Sequence, residues 1–432
     1  MKKKNLFKAL AIALSLSVVT PLVPSMKAYA TTEAPEIMGE SAVTMDIETG
    51  EIIYSKNADI KLSPASTTKL MTALLFAENK SKSDLIPFTK NVLNVTETAL
   101  NNFVNIKEGD TMTADDIMKA VMIYSANDTA YLMAESVGGT IDTFVSSMNE
   151  KAKELGLQNT TFTNPSGLEI DPLNPSNKSY NQTTAFELAI IAKEAFKNDW
   201  LREAMAPKVG QIPISISGDV VLIDSRNKLL GKNGNIGGKT GTEVQAGHCF
   251  VGFYERDGRD LITVVLKSDY GVDGLNVFKD TESIANYGYI AEKQLYKSKG
   301  EEVSETTLTY KSFKFFGQEK EITVPFILNK DINFYQNDFN DKNASISYSG
   351  KVKDAWKLSG KDDINLTFTT PGHSEEVAAT IKLSKLDLIK ANLPIYLLSL
   401  LIVIIVISLI IVIIRIINIG KRKGRRGRRR RY

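Results

Sequence analysis

The sequence predicts an α+β chain, with helices packed on one antiparallel sheet, followed by a small all-β domain and a C-terminal transmembrane helix. Three observations predict it. Amphipathic helical segments before residue 300 are bracketed by an early hairpin and a late pair of strands joined across Asp257-Gly258. Ser304 to Leu383 changes to short strand-like runs such as Ile364-Asn365-Leu366-Thr367-Phe368, with polar turns and little helical periodicity. Leu393 to Ile414 is 22 residues without a charge, long enough to cross a bilayer.

The elements follow in order. Met1 to Ala30 reads as a secretory signal: Lys2–Lys4, an apolar run from about Leu10 to Val19, then Ala28-Tyr29-Ala30 as a small-x-small cleavage site. Ala42–Ile47 and Ile52–Ser55, separated by Glu48-Thr49-Gly50-Glu51, predict a hairpin. Pro64-Ala65-Ser66-Thr67-Thr68-Lys69-Leu70-Met71 reads as a loop running into a helix, with Leu70, Met71, Leu74 and Leu75 on its buried face. Thr113 starts a helix whose Ile117, Ala120, Val121 and Tyr124 share a face, and Ser125-Ala126-Asn127 interrupts it. Helices are expected over Ile141–Leu155, over Thr184–Phe196 with Thr184 and Glu187 as a capping box, and over Lys279–Leu295. Strands are expected over Gly247–Glu255 and Asp260–Lys267. The expected organisation is a signal (1–30), a first domain (31–298), a β domain (299–390), a spanning helix (391–417) and a basic tail (418–432).

The net charge of +3 conceals an acidic body. Five lysines fall in the first thirty residues and ten Lys/Arg in the last eighteen, which leaves 38 basic against 50 acidic residues between them. Such a body argues against nucleic-acid binding. Cys249 is the single cysteine, beside Phe250 and Val251, and reads as a buried strand residue rather than a nucleophile. With only His248 and His373, most zinc sites are out of reach, and a Ser-His-Asp triad is possible only through one of those two. No metal and no cofactor is expected.

Three short elements carry chemistry together. Ser66 stands in a first helical turn, where free N–H groups favour negative charge, and Lys69 three residues on can fold back over its hydroxyl. A desolvated lysine of lowered pKa can take a serine proton. Ser125-Ala126-Asn127 follows 59 residues after Ser66, and Lys239-Thr240-Gly241-Thr242, preceded by Gly237-Gly238, opens the strand region. Order, spacing and setting match the motif set of penicillin-binding proteins and class A β-lactamases, with Ala126 where the lactamase pattern has Asp.

The chain resembles the low-molecular-weight penicillin-binding proteins that are D-alanyl-D-alanine carboxypeptidases. The resemblance covers about residues 36–295 and extends to Asp46-Ile47-Glu48-Thr49-Gly50, Met148-Asn149-Glu150-Lys151-Ala152, Leu155-Gly156-Leu157, Asn164-Pro165-Ser166-Gly167-Leu168 and Asn227-Lys228-Leu229-Leu230. It implies a β-lactamase/transpeptidase-like catalytic domain and a serine-type carboxypeptidase that removes the terminal D-alanine from peptidoglycan stem pentapeptides. Ser66 would attack, Lys69 act as base and Ser125 relay the proton to the leaving amine. Asn127 would hold the substrate amide, and the N–H groups of Ser66 and Thr242 the oxyanion. Lys239 would supply positive potential, and Thr240 and Thr242 would bind the terminal carboxylate. Gly237, Gly238 and Gly241 would let a peptide backbone come close. β-Lactams would be covalent inhibitors on Ser66.

Two departures stand out. Family members often carry an Arg just before the Phe of the last helix; here Val277 precedes Phe278, and Lys279 is the nearest cation. The family's common anchor is an amphipathic surface helix, whereas this one reads as fully spanning. Competing readings are a β-lactamase, for which Glu169 precedes Leu173-Asn174 with one residue too many, and a non-catalytic membrane-held penicillin-binding scaffold. Membrane lipid is an expected partner. The tail stays inside under the positive-inside rule, so the expected protein is a single-pass cell-membrane protein with its catalytic domain on the extracytoplasmic face.

Overall fold

A computed structural model of the chain describes residues 33–176, 179–206 and 210–428. The expected signal over residues 1–30 and the last four residues of the basic tail lie outside the described residues. Five antiparallel strands form the central sheet: β1 (Ser41–Asp46), β2 (Ile52–Lys56), β3 (Asn235–Glu243), β4 (Gly247–Arg256) and β5 (Arg259–Ser268). Their order is β2-β1-β5-β4-β3, so the early hairpin and the late strands close one sheet, with Val43 opposite Val264.

The sheet is covered on both faces, which is why β4 and β5 each carry six consecutive buried residues instead of an apolar–polar alternation. Side chains still alternate with the period of two. Cys249, Val251 and Phe253 enter one core, and Phe250 and Tyr254 the other. The first core takes α1 (Lys69–Asn79), α2 (Asn127–Gly138), α3 (Ile141–Glu154) and α4 (Ala185–Lys197). The second takes α5 (Asn276–Ile290) through Val277 and Ile284.

Three local expectations change. The last helix of this region starts three residues earlier and ends five earlier than its sequence pattern suggests, because Gln294–Lys297 leaves to pair as a strand with Ile332–Phe334. Thr184 caps α4 by accepting from Glu187 N at 3.1 Å, but the Glu187 carboxylate turns to Gln158 N, Asn159 N and Thr160 Oγ1, so the reciprocal half of the capping box is not made. The helix begun at Ala114 widens at Ala120–Tyr124 into a π-turn that ends at Ser125.

Beyond Lys297 a second five-stranded sheet has its own core of Leu308, Phe326, Leu366, Phe368 and Val377. Its strands are β6 (Glu302–Lys311), β7 (Glu319–Leu328), β8 (Ser345–Ser347), β9 (Ile364–Thr370) and β10 (His373–Ile381), in the order β6-β7-β10-β9-β8. The Asp338–Asn343 segment between its strands meets the β1–β2 hairpin through Asn340 Nδ2, which donates to Ile52 O at 2.8 Å, and meets α4 through Phe339, whose ring lies 5.1 Å from that of Phe186. A final helix, α6, runs from Leu393 to Arg428. It is apolar enough to cross a membrane, and its most apolar 18-residue window has no residue buried against the rest of the protein.

Candidate active site

The sequence Pro64–Lys69 does not enter α1 directly. Ala65–Thr68 forms a 3₁₀ turn, and α1 starts at Lys69, so Ser66 precedes the α-helix by a turn. Ala65 is buried with φ of 47°, a left-handed conformation that costs energy and therefore needs outside support. The 164–168 segment supplies it. Asn164 Oδ1 accepts from Ser166 N at 3.1 Å and Gly167 N at 2.7 Å, folding a tight loop against the turn. A Cβ on Gly167 would stand 1.8 Å from Ala65 O, so only glycine lets the two backbones meet.

That loop also delivers a carbonyl to Lys69. The fully buried Lys69 Nζ lies 2.7 Å from each of Ser66 Oγ, Asn127 Oδ1 and Ser166 O. Burial pulls its pKa down to about 7, against the opposing pull of Glu243, Glu97 and Asp128. A neutral amine keeps two N–H bonds, enough for Asn127 Oδ1 and Ser166 O, which can only accept. Its lone pair is then left for the Ser66 hydroxyl proton.

Ser125 and Asn127 are fixed by the break between the π-turn and α2. Ser125 holds φ of 70°, a left-handed conformation in a non-glycine residue, and turns its hydroxyl to Lys239 Nζ at 2.8 Å. Lys239 is also fully buried, donates to Thr240 O at 2.9 Å, and is held well below its ordinary pKa by burial and by the charges of Lys69 and Arg226. Asn127 is clamped by a loop from Glu97 to Asn102: its Nδ2 donates to Glu97 O at 2.8 Å and its N to Thr98 O at 2.9 Å. Asp128, the next residue, pins that loop by accepting from Asn101 N at 3.2 Å; burial raises its carboxyl to about 6.

The edge strand β3 completes the cleft. Thr240, Gly241 and Thr242 line a cavity of about 260 Å³ with Ser66, Ser125 and Asn127. A Cβ on Gly241 would stand 3.0 Å from Ser66 N and 2.8 Å from Pro64 O, so this glycine lets β3 approach the Ser66 turn. Gly237 and Gly238 serve a different purpose from the expected one. Added Cβ atoms there would meet Met205 O at 3.0 Å and Val251 O at 2.5 Å, so their small size serves packing inside the protein and not access for a peptide.

The eight residues singled out in the sequence thus converge, six on the cavity wall and Lys69 and Lys239 bonded beneath it. Sequence reasoning missed Glu97, Arg226 and Glu243, which line the same cavity, and it gave His248, which also lines it, no role beyond a possible triad member. Arg226 stacks over the Tyr124 ring at 4.7 Å, and its charge is felt at Lys239. It stands directly before the Asn227-Lys228-Leu229-Leu230 stretch, which was the available signal. Lys279 is instead exposed and pairs with Asp273 at 2.8 Å. Glu243 is pushed up to about 7 by burial and by Glu97 and Glu169. Glu169 is tied to the β3–β4 turn, accepting from Gln245 N at 2.6 Å and Ala246 N at 3.0 Å, which leaves it off the cavity wall. Larger cavities of about 420 and 450 Å³ contain none of the eight residues.

Residues 28–270 match the family model described as D-alanyl-D-alanine carboxypeptidase. Over 265 residues the chain is 29% identical to the D-alanyl-D-alanine carboxypeptidase DacF of Bacillus subtilis, covering 61% of this chain and 66% of that protein. Over 268 residues it is 32% identical to DacC of Escherichia coli, covering 60% of this chain and 63% of that one. The chain thus spans just under two thirds of these relatives. Among solved structures, the ampicillin-bound penicillin-binding protein D2 of Listeria monocytogenes superposes with a TM-score of 0.52 at 27% identity, over 60% of this chain and all of that one.

Proposed function

Because the chain belongs to the D-alanyl-D-alanine carboxypeptidase family, we propose that it removes the terminal D-alanine from peptidoglycan stem peptides ending in D-Ala-D-Ala, through an acyl-enzyme on Ser66. The observation that carries this reading is Lys69: fully buried, with pKa near 7, and with one of its three hydrogen-bond positions on the Ser66 hydroxyl.

Lys69 takes the Ser66 proton as Oγ adds to the carbonyl between the two D-alanines. The oxyanion forms against the N–H groups of Ser66 and Thr242. The leaving D-alanine needs a proton on its amine, which Ser125 passes on from the Lys239 ammonium, 2.8 Å away. Water then adds to the ester, the reverse proton path frees Ser66, and the shortened peptide leaves. Asn127 holds the substrate amide while orienting Lys69. Thr240 and Thr242 hydrogen-bond the terminal carboxylate, and Arg226 takes the place of the cation missing before Phe278.

The domain reading that goes with this chemistry assigns residues 31–298 to catalysis, 299–390 to a β domain and 391–417 to a single membrane span, with the tail inside and the cleft outside. A 22-residue apolar run at 1.5 Å per residue is about 33 Å, close to a hydrocarbon core of about 30 Å.

The test is release of free D-alanine from a stem pentapeptide by the full chain in detergent, alongside Ser66→Ala. The Ser66 hydroxyl is hydrogen-bonded to Lys69 Nζ at 2.7 Å, a bond within the cleft that the fold can lose, so this variant should fold. It should neither release D-alanine nor take a covalent β-lactam label. A folded Ser66→Ala chain that still does either overturns the assignment.

A further inference from the structure

The turn between β6 and β7 is ordered by its own backbone. Phe313 N donates to Phe316 O at 3.0 Å, Lys314 N to Lys311 O at 3.0 Å and Ser312 N to Gln318 O at 3.2 Å. Yet its tip holds two rings turned to solvent, Phe315 at 77% and Phe316 at 65% exposure. Exposed phenylalanines side by side on a rigid turn are costly in water and mark a contact surface.

The neighbour of the turn identifies the contact. Phe313 stacks on Phe316 at 5.0 Å and lies 5.1 Å from the ring of Tyr396, whose hydroxyl donates to Ser312 O. Tyr396 is in the first turn of α6. The entry of that helix is held to the same sheet by Asn392, a fully buried residue whose Oδ1 accepts from Lys320 Nζ at 2.9 Å and whose carbonyl accepts from Ile395 N and Tyr396 N. If α6 spans the membrane, its first turn lies at the headgroup level, where aromatic rings concentrate.

We infer that the Ser312–Gly317 turn is a second membrane contact, in which Phe315 and Phe316 enter the interfacial layer of the outer leaflet beside α6. The contact rests on the rings more than on charge. The cleft beside the tip carries Lys311, Lys314 and Lys357, but also Glu319 and Asp354. The inference rests on the reading of α6 as a span, and the experiment separates the two.

Cys249 is buried, so an introduced cysteine can be labelled selectively. Full-length chains carrying Phe315→Cys, Leu401→Cys or Val272→Cys, each labelled with the environment-sensitive fluorophore NBD, are reconstituted into vesicles of phosphatidylcholine and phosphatidylglycerol. Val272 is a fully exposed position two residues from Gly274 of the cavity wall and serves as the aqueous reference. The expected result is blue-shifted emission at 315 with at least twofold stronger quenching by shallow doxyl lipid than at 272, and quenching at 401 by deep doxyl lipid. Quenching at 401 without any at 315 overturns the contact and keeps the span. Quenching at 315 without any at 401 keeps the contact and overturns the span. If 315 and 401 both behave like 272, both are overturned.

Discussion

Lys69 Nζ lies 2.7 Å from Asn127 Oδ1, two groups joined across 58 residues of chain. The orientation of the amide is not free, because its Nδ2 is committed to Glu97 O at 2.8 Å. The oxygen therefore faces the lysine and keeps one of its hydrogens in either protonation state.

Asn127→Asp tests that relationship. A carboxylate at hydrogen-bond distance stabilises the ammonium and raises the Lys69 pKa by about one unit or more. Less of the amine is then neutral at pH 7, so the acylation rate should fall about fivefold or more there and recover as pH rises. Stopped-flow acylation by a chromogenic β-lactam across pH 6–10 reads it. An unchanged pH profile would show that Lys69 is not the group that limits acylation.

Glu243→Gln should move the same limb the other way. Glu243 is the largest of the charges that hold the Lys69 pKa up, and Lys69 in turn holds Glu243 down from an otherwise raised value, so the two titrate together near 7. Removing the carboxylate lowers the Lys69 pKa. The acid limb of the acylation profile should shift down by up to about one pH unit, with little change in the alkaline plateau. A shift to higher pH would contradict the geometry.

Arg226→Gln addresses the carboxylate. The guanidinium lines the cavity and stacks on Tyr124, which is why a lysine is not its equivalent. Hydrolysis of peptides ending in free D-alanine should lose about tenfold to a hundredfold in kcat/KM, in line with loss of a charge-assisted hydrogen bond of about 1.5–3 kcal/mol. Peptides ending in D-alaninamide should lose much less. Equal losses on both would assign Arg226 a packing role through Tyr124.

Much of this was legible in the sequence, for identifiable reasons. The strands followed from the apolar runs in Gly247–Glu255 and Asp260–Lys267 and from the Asp257-Gly258 turn, both local. The eight site residues followed from three short motifs whose spacing survives in the chain. What was not legible depends on distant partners. Arg226 reaches the cavity because its guanidinium packs on Tyr124, a contact that the neighbouring Asn227-Lys228-Leu229-Leu230 stretch flags but does not specify. Glu187 abandons the expected reciprocal cap because four donors from residues 158–160 offer its carboxylate better satisfaction. The π-turn at Ala120–Tyr124 shares the periodicity of a plain helix until Ser125 reverses the sign of φ. The glycines before Lys239 were visible, but which neighbour each one faces was not.

The single thiol gives the fold a built-in clock. Cys249 is fully buried in the central sheet, its pKa pushed up to about 12 by desolvation, with Sγ facing Ser63 O at 3.7 Å and Ala246 O at 3.5 Å. A thiol reagent reaches it only when the packing around β4 opens, and the Ser63 segment is part of that packing, so the modification rate in native buffer reports local opening there. Ser63 is three residues from Ser66, on the same stretch that the proposed acylation would tie to bound antibiotic. The native cysteine therefore ticks more slowly in any complex that stiffens that stretch, which makes occupancy of the cleft measurable without a substrate, a tag or a mutation.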